Sequence, residues 1–250
     1  MTALPVAACP TEAELEFDRQ IDALVMTGLP EALELSDGCF RASVEPLRDL
    51  LPPVPGDGDR IPFVVVVPAV PVVPVLEAVH TVGGAGFTTM TEEDLAGFRP
   101  LPELDVPAGP YLLLDVDPGA DTLSVPPGQV LPRLVADGRS PLTVAEGLSV
   151  LVSDPGVLRS RNCFSLAGSR AGDKRVPALW VSSRRPRLGW WTVPRRKVRR
   201  QLSFRPVGPG AGRMREPTGT APPWWAASRS SSPSPCPSWR PACERVTSSP

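Results

Sequence analysis

Apolar positions near the start of the chain follow the spacing of an amphipathic helix. Thr11-Glu12-Ala13-Glu14 has the form of a capping box, in which a hydroxyl and a carboxylate bind free amide groups of the first turn. The apolar residues behind it recur every three or four positions and end before Gly28: Phe17, Ile21, Leu24 and Val25. The pattern predicts a helix from about Glu12 to Thr27.

A second capping box occurs at Thr143-Val144-Ala145-Glu146, ahead of an apolar run that stops at Asp154-Pro155-Gly156. It predicts another helix. A third helix is expected to begin late, after Pro74, and to carry Leu76, Val79 and His80. Thr91-Glu92-Glu93-Asp94 predicts a further short helix or turn.

Short apolar runs bounded by proline, glycine and charged residues predict buried strands. They are Phe63–Val67, Tyr111–Val116, Cys163–Ala167 and Val176–Ser182. Strands and helices alternate irregularly, so the expected fold class is α+β, with a mixed or antiparallel sheet and several short helices.

The last sixty residues differ in composition from the rest. The chain has 250 residues with 34 prolines and 21 glycines. Of residues 191–250, 34 are proline, arginine, serine or glycine, and no periodic apolar pattern remains. Such a segment buries too little surface to offset the entropy of ordering it. We therefore expect a disordered terminus over residues 1–10, one domain over 11–190, and a disordered low-complexity tail over 191–250.

The near-neutral net charge hides a strong asymmetry. Residues 1–154 carry 24 acidic and 7 basic side chains, whereas residues 155–250 carry 3 acidic and 19 basic ones. No apolar run reaches the roughly 18 residues of a membrane-spanning helix. Five scattered cysteines and a single histidine offer no metal-ligand spacing, and the odd cysteine count argues against a disulfide framework. The expected location is the cytoplasm, with no membrane contact, cofactor or metal.

Several motifs between Gly138 and Trp190 resemble an actinobacterial family of uncharacterised cytoplasmic proteins. They include Asn162-Cys163-Phe164-Ser165-Leu166, Arg175-Val176-Pro177-Ala178-Leu179-Trp180 and Leu188-Gly189-Trp190. The resemblance covers roughly residues 10–190 and implies one soluble domain without an assigned activity. Members continue only briefly past the Leu-Gly-Trp motif, which favours interpreting the tail as a frame-disrupted or recently acquired extension. A missing closing strand would then leave an exposed sheet edge around Leu188–Trp191.

One candidate for catalysis lies at the end of a predicted strand. Leu112-Leu113-Leu114-Asp115-Val116-Asp117 has the shape of a haloacid-dehalogenase-type first motif, with Asp115 as nucleophile and Asp117 as acid–base group beside magnesium. The later acidic pair that would hold the magnesium is absent. A buried strand that runs into an Asp-Pro-Gly turn is the favoured interpretation.

A candidate ligand site lies in the glycine-containing turn between two predicted strands. Its backbone amides and cations, with nearby Arg139, could hold a small anion: Gly168, Ser169, Arg170, Lys174 and Arg175. The turn is not a Walker A loop, since Asp173 precedes Lys174 and a strand follows. A charged hairpin turn is the simpler interpretation.

The basic cluster at residues 195–200 could bind nucleic acid or another polyanion weakly. No complete catalytic set is present, and whether the chain is an enzyme stays open. The leading hypothesis is a cytoplasmic, non-enzymatic binding or interaction domain whose partner the sequence does not identify. The alternatives are a magnesium-dependent, phosphate-handling hydrolase that uses Asp115 and Asp117, and polyanion binding through the basic tail.

Overall fold

Short helices and short strands alternate along the chain. The structure, a computed structural model, describes residues 9–52, 59–68, 70–123, 125, 127–159, 163–192, 200–201 and 203–205. The α-helices within them are α1 (Glu12–Met26), α2 (Leu29–Ala32), α3 (Asp37–Val44), α4 (Val72–Ala78), α5 (Glu92–Gly97), α6 (Pro127–Ala136) and α7 (Val144–Ser153). Short 3-10 helices cover Glu45–Leu50, Ala120–Thr122 and Pro155–Val157.

The strands form two larger sheets and two small pairs. They are β1 (Ile61–Val66), β2 (His80–Thr81), β3 (Gly84–Ala85), β4 (Phe87–Thr88), β5 (Arg99–Pro100), β6 (Tyr111–Asp117), β7 (Ser140–Pro141), β8 (Cys163–Ser165), β9 (Ser169–Arg170), β10 (Arg175–Ser182), β11 (Arg185–Thr192), β12 (Arg200–Gln201) and β13 (Ser203–Arg205). The first sheet has the order β1-β6-β13-β7, and the second has the order β12-β8-β10-β11-β4. The remaining pairs are β2-β3 and β5-β9.

Both predicted capping boxes are present. The Thr11 hydroxyl accepts a hydrogen bond from the Glu14 amide, and the Glu14 carboxylate accepts one from the Thr11 amide. Thr143 and Glu146 repeat this arrangement at the start of α7. Thr91 caps α5. The helix starts predicted at these three threonines are therefore confirmed.

The α+β prediction is also confirmed. All strands of the first sheet run antiparallel to their neighbours. The second sheet is mixed, because β4 and β12 run parallel to β11 and β8. Helix α7 contacts α1, α4, β1 and β10 and is buried along its length. Gly147 permits its close approach to Leu166, the residue after β8, since a Cβ at residue 147 would lie 2.3 Å from Leu166 Cδ2.

Strand pairing continues past residue 190, where the sequence predicts the domain to end, and the division of the chain into 1–10, 11–190 and 191–250 stays a prediction. Strand β11 continues to Thr192, and β13 lies between β6 and β7 in the first sheet. Phe204 is only 1 % exposed and belongs to the hydrophobic core. A strand of three residues is too short to show a periodic pattern of apolar positions, so the composition of the surrounding segment determines the prediction of disorder. The rest of the predicted tail, including most of the basic cluster 195–200, lies outside the described residues, as does most of the segment 1–10.

Two further differences come from proline. Helix α4 begins at Val72, so Pro74 lies in its first turn, where no intrahelical amide bond is lost, and His80 lies in β2 rather than in the helix. Helix α6 was not predicted, because Pro132 lies inside it.

The edge predicted at 188–191 is partly covered, since Leu188 pairs with Thr88 of β4.

Cys9 and Cys163 are not disulfide-bonded, whereas Cys39 is. The argument against disulfides from the odd cysteine count is therefore wrong at Cys39. Within the described ranges, no helix has the length and apolar character that crossing a membrane requires.

Candidate functional site

Asp115, the candidate nucleophile, lies at an irregular point of β6. Its φ is +50°, a left-handed conformation that a non-glycine residue seldom adopts. The register between β6 and β13 shifts at this point. The Asp115 carboxylate accepts hydrogen bonds from Arg60 Nη1 at 2.8 and 2.7 Å and from Arg139 Nη1 at 2.7 Å.

Arg139, a candidate ligand residue, is 6 % exposed and is engaged within the protein. It donates to Ser203 Oγ at 2.9 Å, to the Ser203 carbonyl at 3.1 Å and to the Asp115 carbonyl. One guanidinium group therefore joins the irregular part of β6 to β13. It points toward these two strands and not toward the Gly168 turn.

Asp117 holds a turn together. Its Oδ1 accepts a hydrogen bond from the Gly119 amide at 2.7 Å, and its Oδ2 lies 3.4 Å from Arg60 Nη2. Both carboxylates of the predicted hydrolase motif are thus ion-paired with arginine. In the part of the chain that the structure describes, neither belongs to a group of three or more potential metal ligands. The arrangement supports a structural role for this pair better than phosphoryl transfer.

The predicted anion turn is built into the fold through its own backbone. The Gly168 amide donates to the Leu142 carbonyl at 2.8 Å, and Ser169 Oγ accepts from the Val144 amide at 3.0 Å. Arg170 is buried, which lowers its pKa to about 10. Lys174 is exposed. Gly168 and Ser169 are thus bonded within the fold, and the anion site predicted at this turn stays a prediction.

Arg175 at the end of that turn is already neutralised. It forms salt bridges with Asp94 and, at 2.6 Å, with Asp173. Its guanidinium lies 5.6 Å from the Phe98 ring centroid and 5.3 Å from that of Trp190. The hydrogen bond from Arg175 lowers the pKa of Asp94. The Arg175 side chain thus connects β10 to α5 and to the rings of Phe98 and Trp190.

A different group of arginines lies on one face of the second sheet. Trp180, Arg187 and Phe87 are in register across β10, β11 and β4, so their side chains share a face. The Arg187 guanidinium lies 5.2 Å from the Trp180 ring centroid and 5.4 Å from that of Phe87. Arg185 lies 4.7 Å from the Phe87 centroid on the same side. We call these four residues the arginine–aromatic face.

Both arginines of this face are held in place by neutral partners. Arg187 Nη2 donates to Thr89 Oγ1 at 2.9 Å, and Arg185 Nε donates to the Ala85 carbonyl at 2.6 Å. Both side chains are partly buried. Among the described residues, no carboxylate lies within 4.0 Å of either guanidinium, in contrast to Arg60, Arg139 and Arg175.

Local sequence explains this geometry. The two-residue turn Ser183–Arg184 has positive φ at both positions, which gives the tight hairpin that sets the β10–β11 register. Gly189 leaves room for the Trp180 indole, because a Cβ at residue 189 would lie 2.4 Å from Trp180 Cη2. Sequence reasoning missed the face, although Arg-Pro-Arg at 185–187 places both cations on the same side of a strand.

Two other features lie outside these clusters. Glu146 is buried and accepts a hydrogen bond from the Tyr111 hydroxyl at 2.8 Å. Burial raises the pKa of Glu146, although hydrogen bonds from Thr143 and Tyr111 oppose the shift. A surface groove of about 310 Å³ lies between α1 and β1, and it contains the Glu16–Arg19 salt bridge.

Comparison with known protein families matches most of the chain. A family of unknown function (DUF5701) matches residues 23–196. No curated protein and no solved structure matches the chain.

Proposed function

Since the chain belongs to DUF5701, a family of unknown function, we propose a function from its own geometry. The protein is a non-enzymatic binding domain, and its arginine–aromatic face binds an oxyanion ligand, such as a phosphate or carboxylate group. The observation that carries the proposal is the pair of partly buried guanidinium groups, Arg185 and Arg187, that have ring partners and no carboxylate partner among the described residues.

Electrostatics favour an anion at this place. Partial burial removes water from a cation, and a counter-charge restores the lost interaction. Stacking on Phe87 and Trp180 contributes about 0.5–2 kcal/mol per contact and holds the guanidinium planes in fixed orientations. Arginine held in this way presents its N–H groups as a planar fork that matches two oxygens of a phosphate or carboxylate.

The charge of the surrounding strands supports the same ligand class. The hairpin from Arg175 to Thr192 contains no acidic residue and, beside the ion-paired Arg175, three arginines. Arg184, at the turn, is exposed next to Arg185. The hairpin is thus a local positive region on a domain whose first 154 residues are strongly acidic, and such a region raises the local concentration of anions.

The test is calorimetric titration of the full chain with pyrophosphate and with ADP at low ionic strength. The variant R185Q/R187Q keeps polar side chains at both positions and removes both charges. Hydrogen bonds to charged groups contribute about 1.5–3 kcal/mol each, so we expect binding at least about 100-fold weaker. R41Q is the matched control, since Arg41 is an exposed arginine paired with Asp22 outside this face. Equal affinity of R185Q/R187Q and the unchanged chain would refute the assignment.

The alternatives are separated by two further variants. R195Q/R196Q removes charge from the basic tail. If this variant no longer binds a single-stranded oligonucleotide while R185Q/R187Q still does, polyanion binding belongs to the tail. D115N tests hydrolysis: magnesium-dependent phosphatase turnover that this substitution abolishes would make the protein an enzyme.

Cytoplasmic location remains part of the proposal, and the cysteines test it. The absence of a disulfide at Cys9 and Cys163 suits a reducing compartment, whereas the disulfide at Cys39 suits an oxidising one. Alkylation of the cysteine thiols, in protein extracted from its own cells without reductant, distinguishes a reducing from an oxidising compartment. Immediate labelling of Cys39 supports the cytoplasm, and labelling only after reduction contradicts it.

A further inference from the structure

Strand β13 occupies the interior of the first sheet, although its two partner strands, β6 and β7, lie far earlier in the sequence. Ser203 pairs with Asp117 of β6 and with Pro141 of β7, and Phe204 pairs with Ser140. The segment Ser203–Arg205 lies beyond the family match, which ends at residue 196. The matched domain by itself therefore presents two strands, β6 and β7, with a slot between them.

Specific contacts hold the segment in this slot. The buried Arg139 donates to both the hydroxyl and the carbonyl of Ser203. The Phe204 side chain is 1 % exposed and enters the hydrophobic core. Main-chain pairing on two sides with one polar and one aromatic anchor is the pattern of recognition by strand addition.

We infer that the slot between β6 and β7 is a binding site for an extended peptide, and that the chain's own Ser203–Arg205 is its resident ligand. The partner it fits is a polypeptide strand with a small hydroxyl residue followed by phenylalanine. The hydroxyl residue binds Arg139, the aromatic ring fills the core position of Phe204, and the peptide backbone pairs with both strands. An incoming strand competes with the resident one, which thereby regulates access. This inference is independent of oxyanion binding.

The test uses the full chain carrying F204A and a fluorescein-labelled peptide of residues 199–206. F204A removes the resident anchor, so we expect the peptide to bind F204A at least tenfold more tightly than the unchanged chain, as measured by fluorescence anisotropy. L123A is the matched control, because Leu123 is exposed, and it should behave as the unchanged chain. A scrambled peptide of the same charge controls for attraction of a basic peptide to the acidic domain.

Several results would overturn the inference. It fails if folded F204A, checked by circular dichroism, does not bind the peptide, or if it binds the scrambled peptide equally well. If F204A does not fold, the test uses a second variant that keeps Phe204 and has a protease site in place of residues 194–197. After cleavage, retention of the C-terminal fragment and its displacement by excess peptide support the inference. Retention without exchange, or release without peptide, contradicts it.

Discussion

Arg139 provides the sharpest test of how the irregular part of the first sheet is held together. The substitution R139A removes a guanidinium that contacts the Asp115 carboxylate, the Asp115 carbonyl, and both oxygens of Ser203. R60A removes the other guanidinium on the same carboxylate. The two arginines differ in burial, since the Arg139 side chain is 6 % exposed and that of Arg60 is 41 % exposed.

The expected magnitudes follow from this difference. Breaking a buried ion pair typically costs about 3–5 kcal/mol, because the remaining groups are left without partners. The Asp115 side chain is 28 % exposed and keeps Arg60, so solvent and the second cation reduce that cost. We expect R139A to lower the free energy of unfolding by about 2–4 kcal/mol. Exposed salt bridges contribute about 0–1 kcal/mol, and R60A should lose no more than that.

Urea unfolding of both variants, followed by circular dichroism, measures the difference. Midpoints combined with a shared slope give the change in unfolding free energy. R139K, which restores the charge without the planar fork, should recover part of the loss. A loss below about 1 kcal/mol for R139A, or equal losses for R139A and R60A, would refute the structural role of Arg139.

Three other substitutions test separate features. G189A places a Cβ against the Trp180 indole; it should cost about 1–3 kcal/mol in urea unfolding and weaken pyrophosphate binding, and unchanged values would contradict the packing. S183N/R184G supplies residues suited to the two positive φ angles and should stabilise by about 1 kcal/mol, so a lower melting temperature would count against the turn. Burial raises the pKa of Glu146 in the folded state above the usual 4.5, so this carboxyl group stabilises the fold at pH values below 4.5, and the stabilisation is lost as pH rises through the folded pKa. E146Q should therefore flatten the dependence of the unfolding free energy on pH above about pH 4.5. A curve for E146Q that runs parallel to that of the unchanged chain would contradict this.

Local signals in the sequence predicted local structure well. The capping boxes at Thr11 and Thr143 locate α1 and α7, because each box depends on residues three positions apart. Strands β6 and β10 follow from apolar runs between turn residues. These features need no knowledge of what the segments contact.

Contacts distant in sequence could not be predicted in this way. Arg139 and Lys174 look equally available in the sequence, but Asp115 lies 24 positions from Arg139 and Ser203 lies 64 positions away. The pairing of Phe87 with Arg187 depends on a register across one hundred residues. The chain topology therefore determines which arginines meet a carboxylate. It brings Arg139 to Asp115, whereas Arg185 and Arg187 of the arginine–aromatic face meet aromatic rings.

The most direct test of oxyanion binding at that face observes its guanidinium groups individually. Nuclear magnetic resonance resolves arginine Nε–Hε signals of the full chain, and substitution R185Q or R187Q assigns the two signals of the face. Titration with pyrophosphate should shift both signals along one saturation curve. The signals of Arg139 and Arg175, which are already bound by carboxylates, should stay in place. Shifts confined to arginines of residues 195–200, with Arg185 and Arg187 unmoved, would contradict the proposed site.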